Sequence, residues 1–214
     1  GFGSGTGPYQ FKKWARNKYI QLVKFEKYWQ GWEKNHFDNV LIQVASEAST
    51  RYQMIESGLA DYVTLIPSQL IEKLENNPRV NVSYHHSWTN EFYLLNTKKP
   101  PTDNLWFRRA IASSLDRNIL STYVYKNTGV DSKGLIPQNI PLFLEPDSLI
   151  DFDLDAARRY LKRSGLKPSN LNLDLSYVST YEAYRLTAFM LLDNLKKIGV
   201  SLDLKPGIWS TNWD

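Results

Sequence analysis

The sequence predicts an α/β fold, and three observations support this fold class. Segments that alternate apolar and polar residues, as half-buried strands do, are interspersed with segments whose apolar residues recur every three or four positions, as in helices. Twice the order is strand, helix, strand, with a connection long enough for a parallel crossover. The 214 residues are 42% apolar and 22% charged and include no Cys, which is the composition of a globular protein with a buried core.

The chain is predicted to begin with a β-hairpin and to continue into a βαβ unit. Two short β-favouring runs, 9–14 and 19–25, flank a polar break and are typical of a hairpin. A strand at 37–44, a helix at 47–57 and a strand at 61–65 then form the βαβ unit. Because a crossover joins them, the two strands at 37–44 and 61–65 should be parallel.

The middle of the chain is predicted to contain helices, two strands and an irregular loop. The paired prolines Pro100 and Pro101 end the strand region, and we expect a boundary between lobes there. Asp153 is expected to cap a helix that stops at Gly165. The predicted elements are a helix at 68–76, two strands within 80–96, helices at 104–114, 116–125 and 153–163, and a loop at 129–149.

A second βαβ unit is predicted at the end of the chain. Leucines alternate with polar residues at 171–177, as in a half-buried strand, and again at 200–205. The helix between them stops at Gly199. Ser179 and Glu182 have the spacing of a capping box, in which each side chain bonds a free backbone N–H at the helix start.

Composition and motifs exclude several classes of function. The net charge of +4 is dispersed among acidic residues, so we expect no nucleic-acid partner. Without Cys the chain cannot use thiol catalysis or bind zinc through cysteines. His36, His85 and His86 do not converge on one ion, because adjacent strand residues point to opposite faces. No carboxylate pair has catalytic spacing, and we predict no enzyme activity, no metal site and no cofactor.

Whole segments of the chain resemble the family 5 extracellular solute-binding proteins of ABC importers, the group of dipeptide- and oligopeptide-binding proteins. The segments that carry the resemblance are 5–9, 49–58, 93–101, 108–111 and 195–200. Their order and spacing match the family along nearly the whole chain. The resemblance implies a two-lobed, type II periplasmic-binding-protein-like fold that is incomplete in this chain. Residues 1–95 would be the second portion of lobe I, and residues 96–214 most of lobe II without its C-terminal part.

The resemblance also implies ligand capture. A small peptide would bind between the lobes, and the closed form would be recognised by the permease subunits of the importer, outside the cytoplasm. Membrane contact is expected only through a lipid anchor or the permease. Two alternatives remain: an oligosaccharide ligand, for which stacking aromatic side chains would matter more, and a ligand-sensing domain of a transcription regulator.

Three segments are implied to reach the ligand, although each also has a structural interpretation. The first could be a plain strand connection, the second a solvated loop, and the third a capping box with tyrosines on the buried stripe of its helix. The expected ligand-binding residues are Trp88, Asn90 and Phe92 in the first segment, Lys126 in the second, and Tyr181, Glu182 and Tyr184 in the third.

Overall fold

The computed structural model describes residues 5–85, 87–146 and 148–208. The chain divides between Leu65 and Ile66 into two compact units, here called unit 1 and unit 2. This division concerns compactness alone, and the lobe boundary predicted at residues 95 and 96 stays a prediction. Within the described ranges, no helix is long and apolar enough to cross a membrane.

Unit 1 contains one antiparallel sheet and one helix. The sheet has the order β1 (Tyr9–Ala15), β2 (Tyr19–Lys24), β3 (Asn39–Gln43). β1 and β2 confirm the predicted hairpin, whose turn places Asn17 at φ 57°, a left-handed conformation that Asn tolerates. Helix α1 (Ala48–Ser57) is also confirmed.

The βαβ unit predicted in this region is wrong. β3 pairs antiparallel with β2, and residues 61–65 form no strand. Four of these five residues are exposed, whereas parallel strands are buried on both faces. The carbonyl of Leu65, which a strand ladder would use, instead accepts a hydrogen bond of 2.8 Å from Arg51 Nη2.

Aromatic contacts take the place of a buried core in unit 1, where none of the described residues is buried. The ring of Trp32 lies 5.3 Å from that of Tyr9 and 4.8 Å from that of His36. Lys24 Nζ lies 5.3 Å from the centroid of the Trp32 ring, within cation–π distance. Trp32 therefore joins the segment before β3 to both strands of the hairpin.

Unit 2 begins with helix α2 (Ser68–Glu75), which confirms the predicted helix. The two strands predicted within 80–96 are absent from its described residues 80–85 and 87–96. A strand needs a hydrogen-bonded neighbour, and here side-chain amides bond this segment to the loop at 129–149 instead. Asn90 Nδ2 donates to the carbonyl of Gly134 at 2.8 Å, and Asn139 Nδ2 donates to that of Ser87 at 3.2 Å.

The helices of unit 2 begin at side-chain caps. Asn104 accepts from two backbone N–H groups at the start of α3 (Leu105–Ser113). Asp153 does the same for α5 (Leu154–Ser164), which ends at Gly165 with φ 73°, as predicted. The helix predicted at 116–125 is a short helix α4 (Arg117–Ile119) followed by a π-helical turn, Leu120–Val124.

The C-terminal βαβ unit is confirmed. β4 (Asn172–Val178) and β5 (Ser201–Gly207) are parallel and are joined by α6 (Glu182–Lys197). Their register pairs Leu173 with Leu202, so the apolar side chains of both strands share one face. The buried core lies between this unit and helices α3 and α5, and consists of Phe107, Ala110, Ile111, Ala157, Leu161, Leu171, Leu191, Leu195, Ile198 and Val200.

Candidate functional site

Three separate segments of unit 2 meet around one carboxylate, that of Glu91. Tyr125, which follows the π-helical turn, donates its hydroxyl to Glu91 Oε2. The charge of Glu91 also acts on the hydroxyls of Tyr93, two residues along, and Tyr184, in the first turn of α6. Tyr184 in turn packs against Tyr181, with ring centroids 5.2 Å apart. We call Glu91 and these four tyrosines the tyrosine cluster.

Burial controls the electrostatics of the cluster. It raises the pKa of the Glu91 carboxyl, and the hydrogen bond from Tyr125 opposes this by favouring the carboxylate. Burial, assisted by the Glu91 charge, also raises the pKa of Tyr93, Tyr125 and Tyr184. These three tyrosines therefore remain neutral hydroxyls at neutral pH, and Glu91 is the acidic group of the cluster.

The hydroxyl of Tyr93 is the unusual polar group of the cluster. Its oxygen is buried and has no hydrogen-bond partner among the described residues. Buried hydroxyls are nearly always hydrogen-bonded in native proteins, because leaving one unbonded costs about 1–3 kcal/mol. This oxygen is therefore an unbonded polar atom inside the cluster.

The cluster is open on one side. Tyr181 is 40% exposed at the start of α6, whereas Tyr184 and Tyr125 are half-buried. Glu91 also retains an exposed surface. A carboxylate, hydroxyls that both donate and accept, and aromatic rings thus line a surface that solvent reaches, which is a usual composition for a ligand site.

The first predicted segment contributes to the cluster, but not through the side chains that were predicted to bind ligand. Asn90 bonds the carbonyls of Gly134 and Leu135 and so holds the loop. Trp88 and Phe92 are 71% and 58% exposed. It is Glu91 and Tyr93 of this segment that belong to the cluster.

Lys126 follows Tyr125 directly in the chain and is exposed, with φ at 49°. It lines an open groove of about 300 Å³ beside α2. In the same groove, Tyr84 donates a hydrogen bond of 2.7 Å to Glu75. Lys126 is therefore adjacent to the cluster in sequence, but its positive charge lies on a neighbouring surface.

The capping box predicted in the third segment is wrong. α6 begins at Glu182, and its N-cap Tyr181 makes no side-chain cap bond. Ser179 instead extends the pairing beyond β4, because its N–H and its hydroxyl both donate to the carbonyl of Gly207, at 2.9 and 3.1 Å.

Glu182 forms an ion pair with Arg185 instead of a cap. Both guanidinium nitrogens Nε and Nη2 bond its carboxylate, the former at 2.9 Å, and the contact lowers the pKa of Glu182. Of the predicted residues in this segment, the structure thus brings Tyr181 and Tyr184 into the cluster and leaves Glu182 beside it.

Sequence reasoning missed Glu91, Tyr93 and Tyr125. The signal that could have found them is the alternation of residues 88–93, in which a charged and an aromatic side chain share the face opposite the predicted residues. Across residues 5–85, 87–146 and 148–208, no group of three or more His, Asp or Glu side chains could hold a metal ion.

The curated relatives of the chain are named for different ligands. The chain is 26% identical over 161 residues to "Heme-binding protein A" of Haemophilus influenzae, covering 75% of the chain and 29% of the relative. It is 26% identical over 203 residues to "Nickel-binding protein NikA" of Staphylococcus aureus, covering 94% of the chain and 40% of the relative. The chain thus spans well under half the length of these relatives.

Comparison with solved structures establishes the fold. The crystal structure of the Staphylococcus aureus NikA with Ni(L-His)2 matches with a TM-score of 0.85 at 23% identity, over 98% of this chain and 44% of that one. A dipeptide-binding protein of Pseudoalteromonas sp. SM9913 in complex with Met-Leu matches with a TM-score of 0.82 at 23% identity, over 97% and 41%. The predicted type II periplasmic-binding-protein fold is confirmed.

Sequence comparison with family models assigns the chain to a family. The model that matches is described as "Bacterial extracellular solute-binding proteins, family 5 Middle", and it aligns with residues 3–214. This match covers nearly the whole chain and confirms the resemblance seen in its sequence segments. The chain belongs to the family 5 bacterial extracellular solute-binding proteins.

Proposed function

We propose that the protein containing this chain captures a small peptide and presents it to the permease of an ABC importer, without chemical change. The observation that carries the proposal is the convergence of three segments on the tyrosine cluster. Tyr125 brings the loop of Lys126 to Glu91, and Tyr184 brings the start of α6 to the same carboxylate. These are the segments that the family resemblance implied would reach a ligand.

The chemistry of these surfaces suits a peptide. A peptide backbone offers N–H donors and carbonyl acceptors, and tyrosine hydroxyls can meet both. Exposed Lys126 supplies a positive charge for the terminal carboxylate. The dipeptide-binding relative in complex with Met-Leu supports this ligand class by similarity of fold.

One observation favours the alternative ligand, an oligosaccharide. Trp88 is 71% exposed and Phe92 58% exposed, in the segment that reaches the cluster. Large exposed rings are the surfaces on which sugar rings stack. Within this proposal, residues 1–95 remain assigned to lobe I and residues 96–214 to lobe II.

Calorimetry on the natural protein that contains this chain tests the proposal. We expect a mixed pool of di- to pentapeptides to bind with a dissociation constant of about 1 μM or lower, and a panel of oligosaccharides to give no heat. Lys126→Ala should weaken peptide binding about tenfold, the effect of losing one charged hydrogen bond.

The matched control is Lys196→Ala, an exposed lysine in the last turn of α6. It removes the same charge about 18 Å along the helix from Tyr184, at 1.5 Å per residue, and should leave peptide binding unchanged. Tight binding of a sugar with no response to peptides would overturn the proposed ligand, and conversion of either pool into new products would overturn capture itself.

A further inference from the structure

The tyrosine cluster contains an acidic group that no positive group among the described residues pairs with. No described residue forms an ion pair with Glu91, and the interactions that shift its pKa are burial and the hydrogen bond from Tyr125, with no neighbouring cation. A partly buried carboxylate without a cationic partner is unfavourable, because desolvation disfavours its charge. A cation supplied by a ligand would relieve this cost.

Two other Tyr–Glu pairs show that the arrangement at Glu91 is special. Tyr52 donates to Glu56, and Tyr84 donates to Glu75, each at 2.7 Å. In these pairs the hydrogen bond itself is the main cause that raises the tyrosine pKa, because both tyrosines lie at the surface. For the Glu91 carboxyl and its partner Tyr125, by contrast, burial is the main cause of the raised pKa. Glu91 and Tyr125 thus lose more of their hydration than the other two pairs do, although the cluster remains open to solvent on one side.

The polar atoms of the cluster match the hydrogen-bonding needs of an ammonium group. An alkylammonium has three N–H donors and no acceptor. The cluster offers the Glu91 carboxylate and the Tyr125 oxygen, and its buried Tyr93 oxygen has no partner among the described residues. The rings of Tyr181 and Tyr184, 5.2 Å apart, add electron-rich faces to which a cation is attracted.

We propose that Glu91, with Tyr93, Tyr125 and Tyr184, forms a subsite for a cationic group of the ligand. The inference rests on the proposed function, since it assigns a subsite of the same ligand surface. The cation has two sources in a peptide, the amino terminus and a basic side chain, and both present the same ammonium chemistry.

The first experiment tests the subsite without a peptide. The natural protein, with ¹³C-labelled tyrosine, is titrated with n-butylammonium chloride and, separately, with neutral n-butanol. We expect saturable NMR shifts of the Tyr125 and Tyr184 ring signals with n-butylammonium only, and their loss in Glu91→Gln. Equal responses to the two probes, or an unchanged response in Glu91→Gln, would overturn the inference whether or not peptides bind.

The second experiment identifies the source of the cation by calorimetry. The ligands are Ala-Lys-Ala, its neutral norleucine analogue, and the N-acetylated form of each. We expect one change, removal of the lysine charge or acetylation, to weaken binding about tenfold, and Glu91→Gln to abolish that difference. Failure of all four peptides to bind, together with a positive n-butylammonium titration, would overturn peptide capture and leave the cation subsite standing.

Matched variants keep the result interpretable. Glu56→Gln alters the surface Tyr–Glu pair of unit 1 and should change neither titration. Circular dichroism of each variant verifies that it is folded. Loss of the preference in Glu56→Gln, or its persistence in folded Glu91→Gln, would contradict the assignment.

Discussion

Glu91 is a residue whose folded environment opposes its charge, and this has a consequence for stability. Burial raises its pKa above the ordinary value of 4.5 in spite of the hydrogen bond from Tyr125. A group with a raised pKa in the folded state contributes stability that is complete below its unfolded pKa and is lost as pH rises through its folded pKa. The protonated carboxyl is thus the form that folding favours.

We therefore expect the ligand-free protein to lose stability, relative to Glu91→Gln, as pH rises from about 4.5 through the folded pKa of Glu91. Glutamine has a similar shape and does not titrate, so the difference between the two proteins isolates Glu91. Urea unfolding of both proteins at a series of pH values from about 4 to 8 measures it. A difference that stays constant, or that changes in favour of the natural protein with rising pH, contradicts the burial of Glu91.

The residues of the site were only partly predictable from the sequence. Tyr181 and Tyr184 were expected from the family resemblance, which implied that the turn from strand to helix reaches the ligand. Glu91 was missed because a charged residue beside aromatic ones is typical of a solvent-exposed face. Its place in the cluster depends on Tyr125 and Tyr184, which lie 34 and 93 residues further along the chain.

At the scale of elements, predictability depends on whether an element's partner lies nearby in the chain. The hairpin of β1 and β2 and the unit β4–α6–β5 were predicted because local turns and periodicity specify them. The strands expected at 61–65 and within 80–96 were wrong, since a strand exists only where a neighbour accepts its hydrogen bonds. In both places side chains, those of Arg51 and Asn139, bond the backbone instead.

Gly199 connects α6 to β5, and its geometry allows a sharp prediction. Its φ is +84°, and a Cβ built there would lie 3.2 Å from Pro168 Cβ. Gly199→Ala should therefore destabilise the protein by about 1–2 kcal/mol, the usual cost of a left-handed conformation for a residue with a Cβ. Thermal unfolding monitored by circular dichroism measures the loss.

The control for this prediction is Gly134→Ala. A Cβ at Gly134 would meet nothing within 4 Å, and its φ is not positive, so stability should stay within about 0.5 kcal/mol of the natural protein. If the two variants unfold at the same temperature, the tight connection between α6 and β5 described here is incorrect.

At the scale of the whole molecule, the family match gives the class of protein, which the individual helices and strands do not reveal. The match to residues 3–214 identifies an extracellular solute-binding protein, which confirms the predicted extracytoplasmic location. Two relatives of the chain are named for ligands of different chemical classes, heme and nickel. The ligand of this protein therefore has to be argued from its own side chains, and the tyrosine cluster is a group of polar side chains that the described residues bring together at a surface open to solvent.

Hydrogen–deuterium exchange of the natural protein, with and without saturating Ala-Lys-Ala, tests most directly whether the tyrosine cluster is the ligand surface. Ligand contact slows exchange by reducing the local opening of backbone hydrogen bonds. We expect protection at residues 88–95, 121–128 and 180–186, and no change in the last turn of α6 around Lys196. Binding of the peptide without protection in any of these three segments would contradict the claim that they form its site.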